Sequence, residues 1–285
     1  MHGLRRLAGW ADIAMALRCN GKYVPLPVMI TQRSVFLAGV ALCAGLSLPV
    51  QAAAVDEFRA GNWPAAVRDG RAENTVDSLV LAGRAQLAIA GYQTTDKARA
   101  LTLVAAAERD FDRALATTPG NVEAQVQKVV AIAYRAQLTR GIGLAKDVRR
   151  RLEAIVAAHP DNGLAWGVLA GWHGGAVATV GSFVAGTVLG AKRSEMDRCY
   201  ARALQLEPAL PSARTFHAIT LLDLDAANAA RAAATLKGIE TMPAGDGFEA
   251  MLRQQGIELA ALLARGDASA AQAAARRMKA FSRLG

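Results

Sequence analysis

His173 follows Trp172 in the middle of residues 162–191, a stretch without a formal charge in a chain that is 20% charged, and this is where chemistry could be concealed. A histidine can move a proton, bind a metal or contact a ligand near neutral pH. A metal helix would need a second histidine or a carboxylate at one-turn spacing, and His159, His173 and His217 stand too far apart to form one. Cys199 sits beside Tyr200 on a repeat helix, where packing is the expected role of a lone thiol. The run from Gly141 to Lys146 lacks the Gly-Lys-Ser/Thr ending of a phosphate loop, and Gly181-Ser182-Phe183 is not a nucleophile elbow. Asp223 and Asp225 are two apart and point to different sides of a helix. The expectation is a protein with no catalytic, metal or cofactor-binding constellation: a binder rather than an enzyme.

Stepping outward from these residues, the spacing of large and small side chains predicts helices in pairs. Trp166, Leu169 and Ala170 lie three and four apart on one helical face, and the small Ala170 lets a second helix approach. Tyr200 and Ala203 repeat the arrangement, and Pro208 ends that helix. The same closing occurs as Ala107, Phe111, Ala114 and Pro119, and more loosely as Val148, Leu152, Ile155 and Pro160. This order resembles the consensus of the tetratricopeptide repeat (TPR), two antiparallel helices with proline at the exit turn. The resemblance implies an all-α fold, a TPR-like right-handed superhelix of antiparallel helix pairs (an α-solenoid) that binds other molecules. The prolines lie 41 and 48 residues apart, longer than the standard 34, so the repeats are degenerate and the extra residues lengthen the first helix or inner loop of a pair.

Turn residues divide the chain further. Gly61-Asn62-Trp63-Pro64 breaks an opening hairpin over 53–73, helices are expected over 76–90 and 97–117, and others resume near Val122 and Leu164. A pair is expected over 211–224 and 226–240, a break at 241–247, and a last hairpin over 248–264 and 268–281. The domain reading is a degenerate array over 53–240 and a C-terminal helical cap over 241–285.

A narrower resemblance covers about a third of the chain. Trp172-His173, an apolar insert, Gly190-Ala191-Lys192 and then Met196 to Pro208 are similar to the repeat region of the regulator of microtubule dynamics proteins and their bacterial relatives. Export together with helical repeats and an apolar cleft is also similar to the periplasmic repeat component of TRAP-type transporters. The first resemblance implies an exported repeat protein, and the second a small-molecule binder beside a transporter.

The amino terminus reads as a targeting segment: Arg33, then apolar residues from Val35 to Val50, then Val50-Gln51-Ala52 as a small-residue cleavage site. The pattern starts at Met29, which makes residues 1–28 an extension or a mis-assigned start and 29–52 a signal peptide. The expected location is periplasmic or secreted, with an uncleaved membrane anchor through 35–50 as the alternative. Loss of 1–52 leaves 28 basic and 23 acidic residues and a net charge of +5, too mild for a nucleic-acid binder.

Three uses of the uncharged segment stay open: a membrane span, a long first helix packed through its glycines, or the wall of a hydrophobic cleft. The basic clusters Lys146, Arg149, Arg150, Arg151 and Arg276, Arg277, Lys279, Arg283 read as solvated faces. The second has a peripheral membrane contact as its alternative, because Met278, Phe281 and Leu284 interleave with it. The leading functional expectation is a non-catalytic exported scaffold for proteins or peptides, contacting them through Gln125, Lys128, His173, Arg214 and His217 on first helices. The alternative is a periplasmic binder of hydrophobic small molecules, with residues 172–189 lining the cleft.

Overall fold

The computed structural model describes residues 53–284; the expected signal peptide over 29–52, its cleavage site and the extension over 1–28 lie outside them. Among the described residues there are twelve α-helices and no strand. They are α1 (Ala53–Arg59), α2 (Trp63–Glu73), α3 (Val76–Ala88), α4 (Lys97–Thr117), α5 (Val122–Thr139), α6 (Ile142–Ala158), α7 (Gly163–Val184), α8 (Arg193–Leu206), α9 (Pro211–Leu224), α10 (Ala229–Leu236), α11 (Gly247–Ala264) and α12 (Ala268–Arg277). Single π-helical turns extend α3 (Ile89–Gln93) and α7 (Ala185–Leu189). The fold is therefore all-α.

Local chemistry sets the helix starts. After the closing prolines, Asn121 accepts a hydrogen bond from the Ala124 N–H at 2.8 Å and Asn162 one from the Ala165 N–H at 2.9 Å. Each satisfies an orphan donor of the first turn, a contribution of about 1 kcal/mol. Asp246 caps α11 through the N–H groups of Phe248 and Glu249, both at 2.9 Å. Pro211 opens α9 at a position where no donor is lost.

Consecutive helices pack as hairpins: α3 with α4, α5 with α6, α7 with α8, and α9 with α10. The first members also touch in sequence, α3 with α5, α5 with α7 and α7 with α9. The spaced residues hold these contacts. Ala107, Phe111, Ala114, Leu152, Leu169, Ala170, Tyr200 and Ala203 are buried, while Pro119, Pro160 and Pro208 lie exposed at the turns. Trp166 is half-buried, with its indole N–H donated to the Pro160 carbonyl at 3.0 Å and the Arg198 guanidinium over its ring. The extra length of the unit between Pro160 and Pro208 goes into its first helix, α7 with its π-turn.

The last two helices fold back over the first members. α11 packs on α9, α10 and α1, and α12 packs on α9 and α11. Beyond α12, the Phe281 N–H is donated to the Gly91 carbonyl at 2.7 Å, and the Phe281 ring meets Tyr134 of α5 edge-on at 4.7 Å. Arg276 and Lys279 both pair with Asp223 of α9. Met278 and Phe281 are buried, so the apolar residues that alternate with the second basic cluster belong to the core. A fully buried Arg84 ties the two ends of the chain together: it pairs with Asp246 at 3.2 Å, approaches Glu123 at 3.8 Å and covers the Phe58 ring.

Candidate ligand cleft

With the C-terminal segment seated across α5 and α9, an apolar cleft of about 590 Å³ remains between them and α7. That size falls in the range of small-molecule sites. One wall is the α5–α6 turn, where Arg140 takes a left-handed conformation (φ 54°) that turns the chain sharply into Gly141 and Ile142. A second wall is α7, through Gly175, Ala176, Thr179 and Val180, with Leu189 from its π-turn. Phe216, Ile219, Thr220 and Asp223 of α9 form the third, and Lys279 and Ala280 close the end.

The polar groups on these walls are largely committed to the protein. Thr179 donates to the Gly175 carbonyl at 2.7 Å, and Thr220 donates to the Phe216 carbonyl at 2.8 Å while meeting the Tyr200 hydroxyl at 3.0 Å. Asp223 and Lys279 neutralise one another. Arg140 is exposed at the rim and takes part in no ion pair among the described residues. The cleft thus offers shape and apolar surface, with one uncommitted cation at its edge. No group of three potential metal ligands occurs among the described residues.

The α7 wall depends on close approach. A Cβ on Gly174 would stand 2.2 Å from Thr220 Cγ2 and 2.8 Å from Met196 Sδ, so the glycine lets α8 and α9 close on α7. Farther along, Gly181 has φ 78° and ψ 157°, a conformation open to glycine that breaks the helix before its exposed end. Gly163–Leu189 is long and apolar enough to cross a membrane by length and composition, and 56% of its apolar window is buried inside the fold. The buried half is 163–177; Val180, Phe183, Val184 and Val188 beyond it are exposed.

The five residues expected to meet a partner each make contacts within the fold. Gln125 donates to the Pro119 carbonyl at 2.8 Å, and Lys128 pairs with Asp112. Arg214 clasps the carbonyls of Pro208, Thr235 and Lys237 and so fastens the end of α10 to the start of α9. His173 is buried, with its ring edge-on to Trp172, and accepts the Lys192 N–H at Nδ1, 3.2 Å away. Burial, seconded by the Arg149 cation, lowers its pKa to about 4. His217 stacks on Tyr200 at 4.4 Å, and burial lowers its pKa to about 4 as well. Both rings are neutral at pH 7 and neither lines the cleft. The Cys199 thiol is buried, and desolvation raises its pKa to about 12, which leaves it unreactive.

Thr179 and Val180 fall within residues 172–189, the run that the sequence singled out, whereas Phe216, Ile219, Thr220 and Ala280 are wall residues that sequence reasoning passed over. No local signal marked those, because they come from α9 and from the chain beyond α12. Comparison of the chain with protein-family models and with curated proteins finds no match.

Proposed function

We propose that this chain is an exported, non-catalytic helical-repeat protein of TPR type that binds a hydrophobic small molecule in the cleft between α5, α7 and α9. The observation that carries this reading is the cleft itself: apolar walls, polar groups already hydrogen-bonded or ion-paired, and a volume suited to one acyl-like or aromatic ligand. The hairpin pairing and the sequential contacts of α3, α5, α7 and α9 support the α-solenoid reading. Protein or peptide scaffolding, the other role of such arrays, is less favoured, because the C-terminal segment covers part of the face that first helices would present. A carrier feeding a transporter is consistent with a ligand held by burial rather than by ion pairs.

The test is titration with an uncharged naphthylamine probe whose emission rises in apolar surroundings. Saturation at one probe per chain, with loss of the signal in Thr179→Trp, is the expected result; Thr179 is exposed on the cleft wall, so the indole fills space without entering the core. A flat titration, or one that Thr179→Trp leaves unchanged, would overturn the reading.

A further inference from the structure

The exposed end of α7 and its π-turn form an apolar knob that the ligand reading does not use. Phe183 is 82% exposed, and Val180, Val184 and Val188 are exposed beside it. Ile142, 58% exposed, stands at the neighbouring α5–α6 turn and lines the cleft together with Val180 and Leu189. Isolated apolar residues on a surface need no explanation, but a cluster at one end of a fold does.

Charge surrounds this knob unevenly. No acidic residue occurs between Asp161 and Glu195, and the knob runs straight into Lys192 and Arg193. Residues 140–153 and 192–198 carry eight lysines and arginines against four acids. All four acids are held by arginines: Asp147 by Arg150 and Arg151, Glu153 by Arg149, Glu195 by Arg198, and Asp197 by Arg231. Arg140, Lys146, Lys192 and Arg193 are exposed and enter no ion pair among the described residues. Arg149 donates to the Leu189 carbonyl at 3.1 Å and so fixes the base of the knob against α6, beside this cationic rim.

We infer that the knob docks on an anionic lipid surface, with Phe183, Val184 and Val188 entering the acyl boundary and Arg140, Lys146, Lys192 and Arg193 meeting the headgroup phosphates. An apolar tip ringed by uncommitted cations matches that interface in polarity and in sign of charge. A second copy of the chain would bring the same positive rim against itself, which charge repulsion opposes. Because Ile142 and Val180 belong both to the cleft and to this edge of the fold, docking would turn the cleft toward the bilayer. The inference stands on the knob and its rim, whether or not the cleft holds a ligand.

The experiment places a reporter at the tip of the full chain. Phe183→Trp is mixed with vesicles of phosphatidylglycerol carrying brominated acyl chains, which quench only an indole within the acyl region, and the parent chain supplies the background of the native tryptophans. Quenching beyond that background is expected, with an apparent affinity that drops about tenfold or more in Lys192→Glu/Arg193→Glu. Vesicles of phosphatidylcholine should quench far less. Quenching equal to the parent's overturns the inference. So does light scattering that shows a dimer converted to a monomer by Phe183→Ser/Val184→Ser, since the knob would then be a contact between copies.

Discussion

Two histidines that invited a chemical role are held neutral by burial, and this makes them acid sensors of stability rather than of function. Each has a folded pKa near 4 against 6.5 for the free side chain. The unfolded chain therefore binds more protons below pH 6.5, so stability is fully present above that pH and falls as pH drops toward 4. The loss is up to about 3 kcal/mol per histidine by proton linkage. His217→Phe keeps a ring over Tyr200 and removes a proton site whose two nitrogens lack hydrogen-bond partners. Thermal melts of this variant should decline less than the parent's between pH 6.5 and 4, and be no less stable at pH 7; equal pH slopes would disprove the assignment. Arg84 is the opposite case, since its charge is buried beside Asp246 and Glu123. Arg84→Met removes the cation buried beside those carboxylates and should cost about 3–5 kcal/mol in denaturant unfolding. None of this was legible in the sequence, because Arg84 and Asp246 lie 162 positions apart and only the fold makes them neighbours.

At the scale of the helix, much was legible. The starts of α4 at Lys97 and α9 at Pro211 follow from an aspartate cap at Asp96 and a proline at the first position of α9, signals that act within one turn. The π-turns after α3 and α7 were not, because they answer to packing against neighbouring helices and not to local preference. The uncharged run reads alike for a membrane span, a buried helix or a cleft wall, and α7 divides it between a buried half and an exposed end. Close packing of that buried half yields a direct prediction. Gly174→Ala forces a methyl into Thr220 and Met196, and it should lower thermal stability by roughly 1–3 kcal/mol. A variant as stable as the parent would show that α7, α8 and α9 do not pack as described.

For the whole molecule, the decisive feature is the return of the C-terminal segment across first helices far from it in sequence. Seen along the chain, Arg276, Lys279 and Phe281 look like a basic amphipathic end; in the fold they meet Asp223 and Tyr134. Beyond its α7 wall the cleft was hidden too, since the other walls come from residues as distant as Ala136 and Ala280. Removal of residues 278–285 should expose Tyr134 and open the end of the cleft, raising the binding of an apolar dye while helix content changes little. The central claim, an apolar ligand held in that cleft, is tested most directly by native mass spectrometry of the chain recovered from its source cells. The account predicts a small apolar molecule retained on the parent chain and missing from Thr179→Trp. A parent chain that flies with its bare polypeptide mass, or an adduct that survives in Thr179→Trp, would contradict it.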